Sequence, residues 1–203
     1  MQKPLSEMTL QELWQLFPIQ LKEYDPQYPQ WYREKEAEVR RQLAGVSVAR
    51  ISHIGSTAVE GLLSKPTVDI LAEIAGPAQI TAAKEALVRG GWVLMCEEKA
   101  PAPKLSFNQG YTPNGFAARV FHLHLRIVGD WGELYFRDYL RAEKAAAAQY
   151  AALKRGLQQQ YEHDRDGYTA AKTAFVQQNT AKARQRWPGK YDPKSKAKAE
   201  DTP

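Results

Sequence analysis

The chain has 203 residues, a formal net charge of +5 at pH 7 and a single cysteine, Cys96. This length allows one domain with a substantial core, and one cysteine excludes an intramolecular disulfide framework. Neither a transmembrane run of about 18 apolar residues nor the apolar segment of a signal peptide is present, so we expect a soluble cytoplasmic protein with no membrane partner.

The predicted elements fall into two helices, then a region of strands with one helix, then a helical region. Apolar periodicity, β-branched runs and Gly or Pro breaks define them. In chain order we predict helices over 6–17 and 30–43, strands over 46–54 and 67–74, a helix over 77–89, strands over 92–97, 104–108 and 118–128, and helices over 131–141, 143–161 and 166–184. The order predicts an α/β (α+β) fold, with a mixed β-sheet flanked by helices.

The positive charge is concentrated at the C-terminus. Residues 182–203 hold seven Lys or Arg against three Asp or Glu, so this segment carries +4 of the total. The rest of the chain is nearly neutral and does not require a polyanionic partner. We expect residues 1–184 to form a single domain, and residues 185–203 to be a basic, disordered tail that binds nucleic acid weakly at most.

A glycine–serine turn follows the first predicted strand. Gly55 allows close backbone approach to a phosphate, and Ser56 with the first amides of the next short segment offers donors to phosphate oxygens. Asp69 lies thirteen residues beyond Ser56, on the next predicted strand. A carboxylate so placed beside a glycine–serine turn is typical of sites where Mg²⁺ bridges a nucleoside triphosphate.

Alternation in the strand over 118–128 places His122, His124 and Arg126 on one face, opposite apolar residues. Neighbouring side chains on that face are roughly 6.6 Å apart along the strand. The two histidines could bind a transition metal, or bind phosphate together with Arg126. Lys65 and Lys104 are further candidate phosphate ligands, whereas Lys172, Arg137 and Asp138 are at helical positions typical of salt bridges.

Several segments together resemble the GrpB-like family. Residues 53–70 read HIGSTAVEGLLSKPTVDI, close to the family pattern H-I-G-S-T-x-V-x-G-L-x-x-K-P-x-x-D-I, with Glu60 where proline is more usual. Similar segments are GYTPNGFAARVFHLHLR at 110–126, YFRDYLRA at 135–142, YAALKRGL at 150–157 and YTAAKTAFV at 168–176. The resemblance covers about residues 5–178. It implies the nucleotidyltransferase superfold, with active-site residues Gly55, Ser56 and Asp69.

One position departs from the superfold. Its usual metal ligands are two acids at i and i+2 on one strand, but position 71 is leucine. Glu73 is on the same face as Asp69 but roughly 13 Å away along an extended strand. Either His122 and His124 supply the second ligand, or metal binding is impaired.

Two hypotheses of function follow. The first is a metal-dependent nucleotidyltransferase that uses Mg²⁺ or Mn²⁺ to transfer a nucleotidyl group from an NTP to an unknown small acceptor. The second is a catalytically inactive module that binds a nucleotide or another phosphate ligand. Binding of nucleic acid or protein through the tail, and a metal-dependent hydrolase built on the histidines, remain open. The predicted catalytic residues are Asp69, His122 and His124, the metal ligands are Asp69, Glu73, His122 and His124, and the nucleotide or phosphate ligands are His53, Gly55, Ser56, Thr57, Lys65, Lys104 and Arg126.

Overall fold

A computed structural model describes residues 3–195 and contains one five-stranded sheet in the order β1-β2-β5-β4-β3. The strands are β1 (Val48–Ile54), β2 (Thr67–Ile74), β3 (Val93–Glu98), β4 (Lys104–Thr112) and β5 (Gly115–Ile127). The sheet is mixed because β2 and β5 are parallel, whereas the other neighbouring pairs are antiparallel. The predicted fold class is confirmed.

In the described part of the chain, α-helices accompany the sheet. They are α1 (Leu10–Leu16), α2 (Tyr28–Gln42), α3 (Ile80–Arg89), α4 (Gly132–Ala142), α5 (Lys144–Gln160) and α6 (Arg165–Arg186). Each corresponds to a predicted helix, and the largest differences in the strands are longer β4 and β5, which meet in a hairpin at Thr112 and Gly115. Within residues 3–195, none of the helices has the length and apolar character needed to cross a membrane.

The main hydrophobic core lies between one face of the sheet and helices α2 and α3. On β2, Val68, Ile70, Ala72 and Ile74 all point into this core and are fully buried. Phe121, Leu123 and Leu125 of β5 join them, as period-two alternation requires. The alternation predicted for both strands is therefore confirmed.

The opposite face of the sheet is covered by the C-terminal helices. Leu71 of β2 is fully buried in a small cluster with Ile54 and Leu134, against which Trp131 and Tyr191 pack. Strand β2 is thus buried on both faces, as expected for a central strand. On this second face the polar side chains of Asp69, His122 and His124 are only partly exposed.

The disorder predicted from residue 185 is wrong for the described part of that segment. Helix α6 continues to Arg186, and the Tyr191 ring contacts the Tyr135 ring edge-to-face with centroids 5.1 Å apart. Lys190 Nζ lies 2.5 Å from an Asp138 carboxylate oxygen, which also accepts a hydrogen bond from the Tyr191 hydroxyl. Aromatic packing and ion pairs that composition does not predict hold this segment. The remainder of the predicted tail, 196–203, lies outside the described residues.

Candidate functional site

The site begins where β1 ends beside β2. Ile54, the last residue of β1, pairs with Asp69, and the chain then turns at Gly55 with φ of +70°. A Cβ added to Gly55 would lie 2.3 Å from Oδ2 of Asp69. Only glycine therefore fits the position, because it tolerates this backbone angle and leaves room for the carboxylate.

Strand β5 brings both predicted histidines to the same carboxylate. Asp69 lies opposite His122 in the parallel pairing of β2 with β5, and His124 is two residues further along the same face. Oδ1 of Asp69 is 3.3 Å from Nδ1 of His122 and 4.0 Å from Nε2 of His124. The three predicted catalytic side chains therefore lie together.

A chain of hydrogen bonds fixes the His122 ring. Arg165 Nη2 donates to the Tyr111 hydroxyl at 2.9 Å, and that hydroxyl lies 2.8 Å from Nε2 of His122. Since Arg165 can only donate and an ionised Asp69 can only accept, Tyr111 donates to Nε2 and Nδ1–H of His122 points to Asp69. Both ring nitrogens are occupied, so His122 positions Asp69 and is not free to act as a metal ligand or general base.

The protonation states of His122 and Asp69 agree with this chain of hydrogen bonds. Burial lowers the pKa of His122, despite the opposing effect of Asp69, so the imidazole is neutral at pH 7. Burial also raises the pKa of Asp69, but its interactions with His122 and His124 outweigh that effect and hold the pKa well below its usual range. Asp69 is therefore an ionised carboxylate, and His124 is the histidine left facing the site.

Three lysines converge on the turn: Lys154 from α5, Lys172 from α6 and Lys65 from the loop before β2. They line a pocket of about 180 Å³, hereafter the lysine pocket. Lys154 Nζ lies 3.0 Å from the Ser56 hydroxyl oxygen and also donates to the carbonyl of Leu63. Lys172 Nζ lies 4.0 Å from the Tyr168 ring centroid. The residues lining the pocket are Gly55, Ser56, Lys65, Thr67, Asp69, Tyr150, Lys154, Tyr168 and Lys172.

The lysine pocket is electropositive. Burial, reinforced by neighbouring cations, lowers the pKa to about 8 for Lys65 and to about 7 for both Lys154 and Lys172. The pocket contains one carboxylate, that of Asp69, against these three amines. Such a pocket favours an anion, because a negative charge would relieve the mutual repulsion of the lysines.

A larger pocket of about 700 Å³ adjoins the lysine pocket and is called here the apolar pocket. The two share Gly55, Ser56, Asp69, Tyr150 and Lys172. Helices α4 and α6 supply most of the additional lining, which comprises Ile54, His124, Gly132, Glu133, Phe136, Val176, Gln177, Thr180, Ala181 and Arg184. A ligand with one anionic and one less polar part would fit across both pockets.

Three predicted ligands have other roles. Both carboxylate oxygens of Glu73 accept from Arg50, at 2.5 and 2.7 Å, and the fully buried Glu73 also accepts from the backbone of Gly129. Arg126 donates to two backbone carbonyls, and Lys104 lies 3.4 Å from Glu98. None of the three lines the lysine pocket or the apolar pocket. Alternation predicted the face of Glu73 and Arg126 but not the partners that engage them there.

His53 and Thr57 support the turn from within. His53 is on the opposite sheet face from Asp69 and stacks on Tyr32, with ring centroids 4.7 Å apart. Its Nε2 lies 3.0 Å from the Thr57 hydroxyl, which in turn donates to the carbonyl of Thr67. Burial lowers the pKa of His53 to about 4. The pair therefore holds the turn against β2, and neither side chain is a free hydrogen-bond donor to a ligand in the lysine pocket.

The donor set does not fit the divalent metal ion that the resemblance implies. Leu71 occupies the position of the second acid and is fully buried in apolar contacts. Glu73 and His122 are engaged elsewhere. Across residues 3–195 no group of three or more His, Cys, Asp or Glu side chains is arranged to hold a metal ion. The positive charge near Asp69 comes from lysines.

Sequence reasoning missed most of the lysine pocket. The buried positions of α5 are Ala146, Tyr150 and Lys154, at a spacing of four. A lysine ordinarily indicates the solvent-exposed face of a helix, so the sequence did not predict that Lys154 is buried. The salt bridge predicted for Lys172 is not present among the described residues, and its ammonium lies over an aromatic ring instead.

Comparison with known proteins identifies the family of this chain. The family model described as "GrpB protein" matches residues 18–182, and the chain therefore belongs to the GrpB family. A UPF0157 protein of Halalkalibacterium halodurans is 32% identical over 170 residues, covering 79% of this chain and 80% of that protein.

Solved structures resemble the fold. The crystal structure of the conserved protein GrpB from Enterococcus faecalis matches with a TM-score of 0.71 and 24% identity, covering 83% of this chain and 99% of that one. Cid1 in complex with the UTP analogue UMPNPP matches with a TM-score of 0.47 and 13% identity, covering 73% of this chain and 48% of that one. The second likeness is too weak to assign an activity.

Proposed function

We propose that this protein binds a nucleotide or a comparable phosphate ester, with a phosphate group in the lysine pocket. The observation that carries this proposal is the convergence of Lys65, Lys154 and Lys172 on one small pocket with a single carboxylate. Buried lysines without acidic partners are costly unless an anion compensates them.

The charge of the pocket matches an anionic phosphate ester. When Lys65 and Lys172 are protonated, they exceed the charge of Asp69 by one. A bound phosphate would favour the protonated forms of these two lysines and so raise their pKa values again. The Ser56 hydroxyl, 3.0 Å from Lys154 Nζ, is positioned beside the same phosphate.

The apolar pocket suits the remainder of such a ligand. Phe136 and Val176 line it, and its volume of about 700 Å³ lies within the usual range of small-molecule sites. His124, Gln177 and Arg184 supply polar groups at its wall. A nucleoside, which has a flat apolar face and polar edges, matches this mixture of side chains.

Nucleotidyl transfer is the second candidate. It is favoured by the Asp69 carboxylate, which lies directly against Gly55 beside the Ser56 hydroxyl. It is disfavoured by the leucine at position 71 and by the engaged nitrogens of His122. Phosphate binding through lysines requires none of these missing ligands, so we place it first.

A thermal-shift panel tests the proposal. Inorganic phosphate and the four NTPs are titrated, with and without Mg²⁺, against the wild type and Lys172→Met. Lys182→Met is the matched control, because it removes an exposed lysine from the same helix. We expect a phosphate ligand to stabilise the wild type and the control without Mg²⁺, and to stabilise Lys172→Met much less.

Two outcomes would count against the proposal. If no phosphate ligand stabilises the wild type at concentrations of many millimolar, or if Lys172→Met responds like the control, the lysine pocket is not the phosphate site. Stabilisation that requires Mg²⁺ and disappears in Asp69→Ala would instead favour the nucleotidyltransferase hypothesis.

A further inference from the structure

Ser56 and Lys154 form a close pair in the lysine pocket. Ser56 directly follows the turn at Gly55, and its hydroxyl oxygen lies 3.0 Å from Nζ of Lys154. Ser56 also borders the apolar pocket, so a ligand in either pocket has access to it. Lys154 reaches it from α5, a distant segment of the chain, so the pairing does not arise from sequence proximity.

The surroundings of Lys154 favour the neutral amine. The residue is only 2% exposed, and its Nζ contacts the Ser56 hydroxyl, the carbonyl of Leu63 and the face of the Tyr150 ring. No carboxylate pairs with it among the described residues. Burial lowers its pKa to about 7, and the charged groups that act on it in the same direction are Lys172, Lys65 and Arg155.

We propose that Ser56 is a nucleophile and Lys154 its general base, acting on the phosphorus of a phosphate ester or anhydride held in the lysine pocket. The position of the substrate rests on the proposed function. A hydroxyl within hydrogen-bond distance of a neutral lysine is an established arrangement for nucleophilic catalysis. The remaining lysines of the pocket, Lys65 and Lys172, would hold the phosphate oxygens.

The reaction balances with water as the co-reactant. The amine of Lys154 takes the Ser56 hydroxyl proton while Oγ bonds to phosphorus and the bond from phosphorus to the leaving oxygen breaks. That oxygen receives the proton from Lys154. Water then attacks the phosphorus, gives its proton to Lys154, breaks the bond to Oγ and releases phosphate, and the proton returns to Ser56.

A neutral alkyl phosphonofluoridate probe tests this pair, since it reports serine nucleophilicity without requiring an anion site. The rate of adduct formation is followed by intact mass from about pH 5 to about pH 9, and peptide mapping locates the adduct. We expect one adduct on Ser56 and a rate that rises through about pH 7. Ser56→Ala should form none, and Lys154→Met should react about 10²–10⁴-fold more slowly.

Two further variants separate chemistry from structure. Lys154→Arg retains a cation that cannot serve as a base, and we expect it to be as slow as Lys154→Met. Lys172→Met should shift the midpoint of the pH–rate profile to higher pH, because it removes a cation that lowers the pKa of Lys154. Circular dichroism confirms that each variant is folded.

The outcomes distinguish this inference from the proposed function. An adduct absent from Ser56, or formed at the wild-type rate in Lys154→Met and Lys154→Arg, overturns the nucleophile–base pair. If phosphate still stabilises the wild type in that case, the binding proposal stands and Ser56 is only a phosphate ligand. If labelling is as expected but no phosphate ligand binds, the assignment of a phosphate substrate is overturned.

Discussion

Replacing Lys154 by methionine tests whether burial of this lysine destabilises the folded state. Methionine has a similar length and no charge, so it can fill the same space on α5. The pKa of Lys154 falls from its ordinary value of 10.5 to about 7 on burial. Each pKa unit corresponds to about 1.4 kcal/mol, so at or below pH 7 the folded state loses roughly 5 kcal/mol by holding this amine.

The variant also loses favourable contacts. The hydrogen bonds of Nζ to Ser56 and to the carbonyl of Leu63 disappear, and the unpaired groups cost roughly 1–3 kcal/mol. We therefore expect Lys154→Met to be more stable than the wild type by about 2–4 kcal/mol at neutral pH. For a chain of this size that raises Tm by about 4–16 °C.

Chemical denaturation from about pH 6 to about pH 10 is the assay. Because the pKa of Lys154 is lower in the folded state, the unfolded chain binds more protons between about pH 7 and pH 10.5, and wild-type stability rises with pH across that window. The stability of Lys154→Met should rise less steeply with pH. A variant less stable than the wild type at pH 7, with an unchanged pH slope, would refute the reasoning.

Three further predictions concern the turn, the hydrogen-bond chain and the buried ion pair. Gly55→Ala and Gly61→Ala both place alanine at positive φ, at a cost of roughly 1–2 kcal/mol, but only Gly55→Ala adds a clash at 2.3 Å. Denaturation should therefore show that Gly55→Ala is clearly less stable than Gly61→Ala. Equal losses of stability in the two variants would contradict the contact between Gly55 and Asp69. Tyr111→Phe frees Nε2 of His122, so an NMR titration should give a higher pKa for that ring than in the wild type, and an unchanged pKa would disprove the proposed direction of the hydrogen bonds. Glu73→Gln breaks the buried ion pair with Arg50 and should destabilise the fold by about 3–5 kcal/mol, while any ligand-induced thermal shift stays intact. Loss of that thermal shift would indicate that Glu73 contributes to the ligand site.

The two faces of the central strands were predictable because apolar and polar residues alternate along each strand. Period-two patterns placed Asp69 on the polar face of its strand and His122 with His124 on the polar face of theirs, and the parallel register of β2 with β5 brings them within 3.3–4.0 Å. The glycine–serine turn was predicted from the sequence as well. Glycine is required at position 55 because it tolerates the positive φ and leaves room for the neighbouring carboxylate.

Side chains supplied by the covering helices were not predictable in the same way. Which helix face contacts the sheet depends on tertiary packing, and a lysine such as Lys154 suggests the solvent side. Conversely, alternation assigned Glu73 to the correct face but could not identify its partner. The register of β1 places Arg50 opposite Glu73, and the resulting ion pair removes it from the site.

Isothermal titration calorimetry with ATP at about pH 8, in two buffers of different ionisation enthalpy, tests phosphate binding in the lysine pocket most directly. The account predicts proton uptake on binding, because Lys65 and Lys172, with pKa values of about 8 and about 7, become protonated beside the phosphate, and weaker affinity in Lys172→Met than in Lys182→Met. Binding with no proton uptake and equal affinity in the two variants would contradict it.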